Sequence, residues 1–169
     1  DVLPWLNLMG RVSADYSTNE FESKNKPASV EGLDGSYGFE MNKNFTVTSE
    51  VIGTVHKDNI VDDLNLNLSL GASSWQNRFH GSKSVNKGPF LIPFQYFLNN
   101  TSATLNRDWL PIEYRSESKI NSAYGILDLS YRNYWFLQVT GRNDWSSTLP
   151  TTSNSFFYPS ASLSFAFTD

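Results

Sequence analysis

The chain has 169 residues, no cysteine, 15% aromatic residues and a formal net charge of −4. The missing thiols exclude a disulfide framework and thiolate metal sites, and the acidic balance excludes the basic stripe on which nucleic-acid binding depends. Mean hydropathy is −0.40 despite the many rings, so large apolar side chains sit among polar ones, and no apolar run approaches the ~18 residues of a membrane-crossing helix.

Asp1 to Gly10 carries no basic region followed by an apolar core, as expected of a chain whose signal has been removed or of an internal piece. From Trp5 to Ser17 the residues alternate with period two, the mark of a two-faced strand. Leu6, Leu8, Gly10, Val12, Ala14 and Tyr16 oppose Asn7, Met9, Arg11, Ser13 and Asp15. The stretch Thr18 to Gly35 then reads as a long connection. A second strand is predicted over Tyr37 to His56, with Phe39, Met41, Phe45, Val47, Val51 and Val55 against Glu40, Asn42, Asn44, Thr46, Thr48, Glu50 and Thr54. Lys43 and Ser49 interrupt its apolar side.

Lys57 to Asp63 reads as a short turn. Its Asp58, Asn59, Asp62 and Asp63 lack the spacing and glycine of a calcium loop, so a solvated turn is expected there. The clearest alternation follows in "DLNLNLSLGAS", where Leu64, Leu66, Leu68 and Leu70 point one way and Asn65, Asn67, Ser69 and Gly71 the other. The two histidines, His56 and His80, are far apart in sequence with no carboxylates at metal-ligand spacing, so neither a metal nor another cofactor is expected.

A long connection is expected from Gly81 to Pro111. External loops on a rigid scaffold carry recognition, which makes this segment the candidate binding site. Phe90, Phe94, Tyr96, Phe97 and Trp109 are suited to stack on sugar rings, and Asn99, Asn100, Asn106 and Asp108 to bond hydroxyls. The same aromatics are equally suited to pack the loop onto its neighbours or onto a lid protein.

Parity fixes the register of the next hairpin, because directly paired residues must share a face. Pairing Tyr131 with Trp135 matches Leu129 with Leu137, Leu127 with Val139 and Gly125 with Gly141. Asp128 then falls opposite Gln138, Ile126 opposite Thr140 and Tyr124 opposite Arg142. The turn is Arg132-Asn133-Tyr134, with Asn133 in the left-handed conformation. Tyr131, Tyr134 and Trp135 gather at the short-turn end, as in an interfacial aromatic girdle. The alternative is an aromatic cluster closing a soluble sheet.

"GRNDWSSTLP", Gly141 to Pro150, mixes an Arg, an Asp, a Trp and two Ser. A hydrolase built on Asp144, Ser146 or Ser147 and His80 would need a Gly-x-Ser-x-Gly elbow or an oxyanion hole, and neither has a signal here. The chain is therefore not expected to be an enzyme. Arg142 and Asp144 share a face and can form a local ion pair. In the final strand Phe157, Ala161, Leu163, Phe165 and Phe167 alternate with Tyr158, Ser160, Ser162 and Ser164, and Pro159 is expected near an end of the paired region.

Strands longer than the usual 5 to 6 or so residues, joined by connections that run long, short, long, short, long, are the pattern of a membrane β-barrel with tight turns on one side and loops on the other. The segment Tyr124 to Asp169, with "VTGRNDWSSTLP" followed by "FFYPS" and a Phe-rich acidic end, resembles the signature segment of SusC/RagA-type TonB-dependent outer-membrane transporters. "GPFLIPFQYFLNN" is similar to a loop of that family, and the other strands fit by length and alternation.

The resemblance implies an all-β fold, an antiparallel transmembrane β-barrel of which about six long strands out of about 22 are present. Residues 1–169 would form part of the barrel domain, with the plug and remaining strands absent. It further implies import of oligosaccharides, peptides or other large nutrients across the bacterial outer membrane. The expected partners are a SusD-like surface lipoprotein as lid, the TonB complex acting through a part of the transporter absent here, the rest of the barrel and plug, and membrane lipid. Leu64 to Leu70, Leu127, Leu129, Leu137 and Val139 would then face lipid, and Asn65, Asn67, Asp128, Gln138, Thr140 and Arg142 the lumen. The alternative is a soluble carbohydrate-binding β-sandwich module presenting Trp and Tyr platforms.

Overall fold

The structure, a computed structural model, describes residues 3–27, 35–87, 89–101 and 111–167. Six strands form one sheet in sequence order: β1 (Leu6–Asn25), β2 (Ser36–Lys57), β3 (Leu64–Lys87), β4 (Ile112–Tyr131), β5 (Trp135–Ser146) and β6 (Ser155–Phe165). Adjacent strands are antiparallel. The connections are 26–35, 58–63, 88–111, 132–134 and 147–154, so long and short alternate as predicted.

The β4–β5 register is the one parity requires, from Tyr131 opposite Trp135 through Gly125 opposite Gly141 to Ile120 opposite Ser146. Asn133 is left-handed, with φ 57°, and so is Arg132, with φ 53°. Two successive left-handed residues turn the chain back with the twist of the flanking strands, and the Tyr134 N–H donates to the Tyr131 carbonyl at 3.1 Å. The Arg132 N–H donates to the Asp63 carbonyl at 3.0 Å, joining this turn to the one between β2 and β3.

Three expectations are corrected. β1 runs on to Asn25, well past Ser17. β3 runs on to Lys87 and β4 starts at Ile112, so Gly81 to Lys87 is strand and the connection is confined to 88–111. In these extensions the alternation that marks the first part of the strand is not continued, and the hydrogen-bonded ladder carries the strand without that signal. The third correction is Pro159, which lies within β6 opposite Gly141, not near an end. Hydrogen-bonded and non-hydrogen-bonded pairs alternate in an antiparallel ladder. Ser146 N–H donates to the Asn154 carbonyl at one end and Ala166 N–H to the Tyr134 carbonyl at the other, which puts Gly141–Pro159 between hydrogen-bonded pairs. The nitrogen of Pro159 therefore faces away from β5, and its missing N–H costs that ladder nothing.

The chain divides into two compact units. The first comprises Asp1–Ala14, Thr46–Asn77 and Ser118–Asp169, and the second Asp15–Phe45 and Arg78–Glu117. Among the described apolar side chains only Tyr37 is buried. Val12 is 74% exposed, Leu163 64% and Leu70 60%, so the apolar face of the first unit is uncovered. A β-sandwich would bury that face under a second sheet; all six strands belong to one sheet, and the sandwich reading has no second layer among the described residues.

Candidate functional site

On the polar face of the first unit, side chains bond from strand to strand. Arg11 on β1 reaches Glu50 on β2 at 2.5 Å, and the Tyr124 hydroxyl on β4 donates to the other oxygen of Glu50 at 2.7 Å. Tyr124 has to cross β3 to do so. It crosses at Gly71, where a Cβ would stand 2.3 Å from the ring. Arg142 on β5 donates to Ser122 at 3.0 Å and to Asp144 at 2.7 Å, the ion pair expected from their shared face. Nearby in the ladder, Gln138 donates to Asp128 at 2.7 Å and Thr54 bonds Ser69 at 2.9 Å. A cleft of about 450 Å³ lies on this face, lined among others by Asn67, Asp128, Gln138, Ser162 and Ser164.

The second unit repeats the device. The Tyr114 hydroxyl on β4 donates to Glu40 on β2 at 3.1 Å and lies 3.2 Å from Asn42 Oδ1, crossing β3 at Gly81, where a Cβ would stand 2.1 Å from the ring. Asn42 Nδ2 donates to the same Glu40 oxygen at 2.9 Å, and Lys83 Nζ stands 3.8 Å from the other. Phe79 lies beside Tyr114, ring centroids 5.8 Å apart and planes inclined by 29°. Glutamates 40 and 50, glycines 71 and 81, and tyrosines 114 and 124 are each ten residues apart. That spacing keeps parity and is visible in the sequence, yet it carries no hydropathy signal, so alternation does not mark it.

Elsewhere in the second unit the Tyr37 hydroxyl donates to Glu22 at 2.9 Å, and Lys24 pairs with Glu22 at 2.6 Å. Hydrogen bonds from Lys24 and Tyr37 hold the Glu22 carboxyl below its usual range, while burial and the carboxylate push the Tyr37 phenol up.

The sequence-predicted loop residues split by role. Asn100 is 1% exposed. Its Nδ2 donates to the carbonyls of Ile92 and Gln95 at 2.8 and 2.6 Å, and its Oδ1 accepts from the Ile92 N–H at 2.8 Å. Asn86 Nδ2 donates to the Asn100 carbonyl at 3.1 Å and ties the loop to β3. Phe90 and Tyr96 meet edge to face at 5.7 Å. Phe94, Phe97 and Asn99 are exposed, Phe94 with a left-handed φ of 62°, a conformation rare for a bulky residue. Trp109, with Asn106 and Asp108, lies outside the described residues.

The hydroxyls of Gly141 to Pro150 serve the backbone. Ser147 Oγ accepts from the Lys119 N–H at 2.8 Å while its own N–H donates to the Lys119 carbonyl at 2.8 Å, and Ser146 Oγ bonds Thr148 at 2.8 Å. Asp144 is held by Arg142.

One open sheet of six long antiparallel strands, with no helix among the described residues, is consistent with a fragment of a β-barrel. Solved structures bear this out. The chain is similar to the structure of the RagAB peptide transporter, with a TM-score of 0.83 at 16% identity, over 96% of this chain and 18% of that one. Against the RagAB peptide importer in its closed-closed and open-open states the TM-scores are 0.82 and 0.80, at 16% and 15% identity, with the same coverage. The chain thus spans less than a fifth of the length of these transporters, and at this identity the likeness establishes the fold. No protein-family model and no curated relative matches the chain.

Proposed function

We propose that this chain is part of the barrel wall of an outer-membrane, TonB-dependent importer that takes up oligosaccharides or other large nutrients beneath a SusD-like surface lipoprotein. The observation that carries the reading is the uncovered apolar face. On β3 it runs from Leu64 to Ala72, about 26 Å along the strand at ~3.3 Å per residue, or about 19 Å at a tilt of ~45°, against the ~25 Å apolar band of such barrels. Tyr134, Trp135, Phe165 and Phe167 cluster at its short-turn end, with centroids 4.5 to 6.4 Å apart, as interfacial girdle residues do. The backbone likeness to a peptide transporter supports the same reading.

In this reading the polar face lines the lumen and meets the plug. The connection 88–111 contributes recognition: Phe94, Phe97 and Asn99 form its contact edge for substrate or lid, and Asn100 and the Phe90–Tyr96 pair hold its shape. The test is fractionation and uptake with the full-length chain. It should be recovered from outer membranes only in detergent, migrate as a heat-modifiable barrel, and support uptake that stops when TonB is deleted. Recovery as a detergent-independent monomer would overturn the reading.

A further inference from the structure

We propose that the segment 89–101 is a preformed apolar knob, with Phe94 at its tip, that stays docked in an apolar pocket of a second folded protein, the surface lipoprotein, and does not hold substrate. Two tight turns build it. In the first, the Gln95 N–H donates to the Ile92 carbonyl at 3.4 Å across Pro93 and Phe94. That is the residue order of a type II turn, whose third position needs a positive φ and usually holds glycine. Phe94 occupies it at 62°, a conformation that costs an ordinary L-residue about 1–2 kcal/mol. In the second turn the Asn100 N–H donates to the Phe97 carbonyl at 3.1 Å, and the Asn100 carboxamide grips both the N–H and the carbonyl of Ile92. The clamp thus holds a phenylalanine where glycine would sit without strain. Packing within the chain does not repay that strain, because Phe94 is 67% exposed.

The interior of the knob is complete without its outer side chains. Phe90 meets Tyr96 edge to face and stands over Gly35, where a Cβ would lie 2.9 Å from its Cε2, and Asn86 and Asn100 are buried. Leu91, Ile92, Phe97 and Leu98 join Phe94 outside, all exposed. Together they present on the order of 500 Å² of apolar surface, at roughly 200 Å² for a large side chain, as much as the largest patch on a typical monomer. No charged residue stands between Lys87 and Arg107, and the exposed polar side chains beside the patch are the neutral Gln95 and Asn99. An apolar, aromatic centre depleted of charge is the composition of the buried part of a protein–protein interface. The patch is more than half of the ~800 Å² that each partner contributes to a stable one.

Other occupants fit this chemistry less well. A saccharide brings hydroxyls that must be re-bonded when water leaves, and the outer side chains are mostly aliphatic and offer them nothing. Membrane-surface segments set Lys or Arg beside their apolar side chains, and this one has neither. A cargo has to be released, whereas a rigid, charge-poor apolar surface belongs to lasting interfaces, where preorganisation lowers the cost of binding. The knob rests on the importer reading only in naming its partner a lipoprotein.

The experiment places a photo-crosslinking phenylalanine analogue at position 94 of the full-length chain in intact cells grown with labelled palmitate, which marks lipoproteins. Irradiation should give one adduct, with a palmitate-labelled protein. Affinity purification of the full-length chain in detergent should bring that protein with it, and Phe94→Ser should lower its recovery about tenfold or more. Phe94→Gly separates docking from structure. It relieves the turn, so the segment should resist protease at least as well as the parent, yet it removes the ring and should lose the partner as Phe94→Ser does. A partner retained by Phe94→Gly would overturn the proposal, as would adducts with an unlabelled protein, with lipid or with peptide, or no adduct at all. A labelled adduct in a chain whose uptake ignores TonB would count against the importer reading and leave the knob standing.

Discussion

At the scale of single residues, two glycines and one asparagine do the work that a buried core does elsewhere. Gly71 is the point where Tyr124 crosses β3 to reach Glu50. In Gly71→Ala the new methyl displaces the ring, which gives up its 2.7 Å bond to a carboxylate. The expected loss is about 1–3 kcal/mol, read as a lower urea midpoint of the folded barrel. In a Tyr124→Ala background the same substitution should be close to neutral; an undiminished cost there would mean that Gly71 serves something other than Tyr124. Asn100 gives the second prediction. Its carboxamide closes the loop through three bonds to Ile92 and Gln95, so Asn100→Asp, which keeps the shape and loses both donors, should speed proteolysis at 89–101 by about tenfold or more. Barrel migration should not change, and unchanged proteolysis would show that the loop is held by other contacts. Neither role was legible in the sequence, where Asn100 reads as one polar residue among several suited to a ligand.

At the scale of elements, legibility followed the sorting of side chains between faces. The β4–β5 hairpin was readable to the residue because each pair from Gly125–Gly141 to Tyr131–Trp135 obeys parity and a slip by one would oppose Leu to Gln. β3 was readable only to Ser73. Beyond it the faces invert: Ser74, Gln76, Arg78 and His80 take the side that Leu64 to Leu70 began, while Trp75 and Phe79 take the other. β4 inverts in the same way, with Glu113, Arg115, Glu117 and Lys119 continuing the side of Leu127 and Leu129. A strand that exchanges its faces has no net alternation, and its far part carries no strand signal. The turn of the readable hairpin offers a check. Arg132 and Asn133 are both left-handed, a conformation that costs about 1–2 kcal/mol in most L-residues. Asn133→Gly should match or exceed the parent midpoint, and Asn133→Val should lower it by about 1–2 kcal/mol or more. Equal midpoints for the two would contradict a left-handed turn.

At the scale of the whole molecule, the question is what covers the apolar face, and neighbouring residues on one strand can answer it. Leu68 and Asn67 are adjacent on β3 and point to opposite faces. If Leu68 faces hydrocarbon, an arginine there is stranded near the middle of the apolar band, at a cost of about 2–4 kcal/mol for a barrel in lipid. Asn67→Arg puts the same charge on the face where His56 meets Asn67 at 2.6 Å, in a wet and polar setting that should absorb it for well under half that cost. The two variants of the full-length chain, refolded into vesicles and unfolded with guanidinium, should therefore differ in the order Leu68→Arg far below Asn67→Arg. A soluble protein with a second layer over this face would also resent Leu68→Arg, but its loss would be the same in detergent, in lipid and in buffer, because its own layer would set the surroundings. A lipid-facing Leu68 predicts instead that the penalty grows from a loose micelle to a bilayer, as the hydrocarbon becomes harder for the guanidinium to escape by snorkelling. A penalty that is independent of the surrounding medium would remove lipid from the apolar face, and with it the barrel-wall role proposed for this chain.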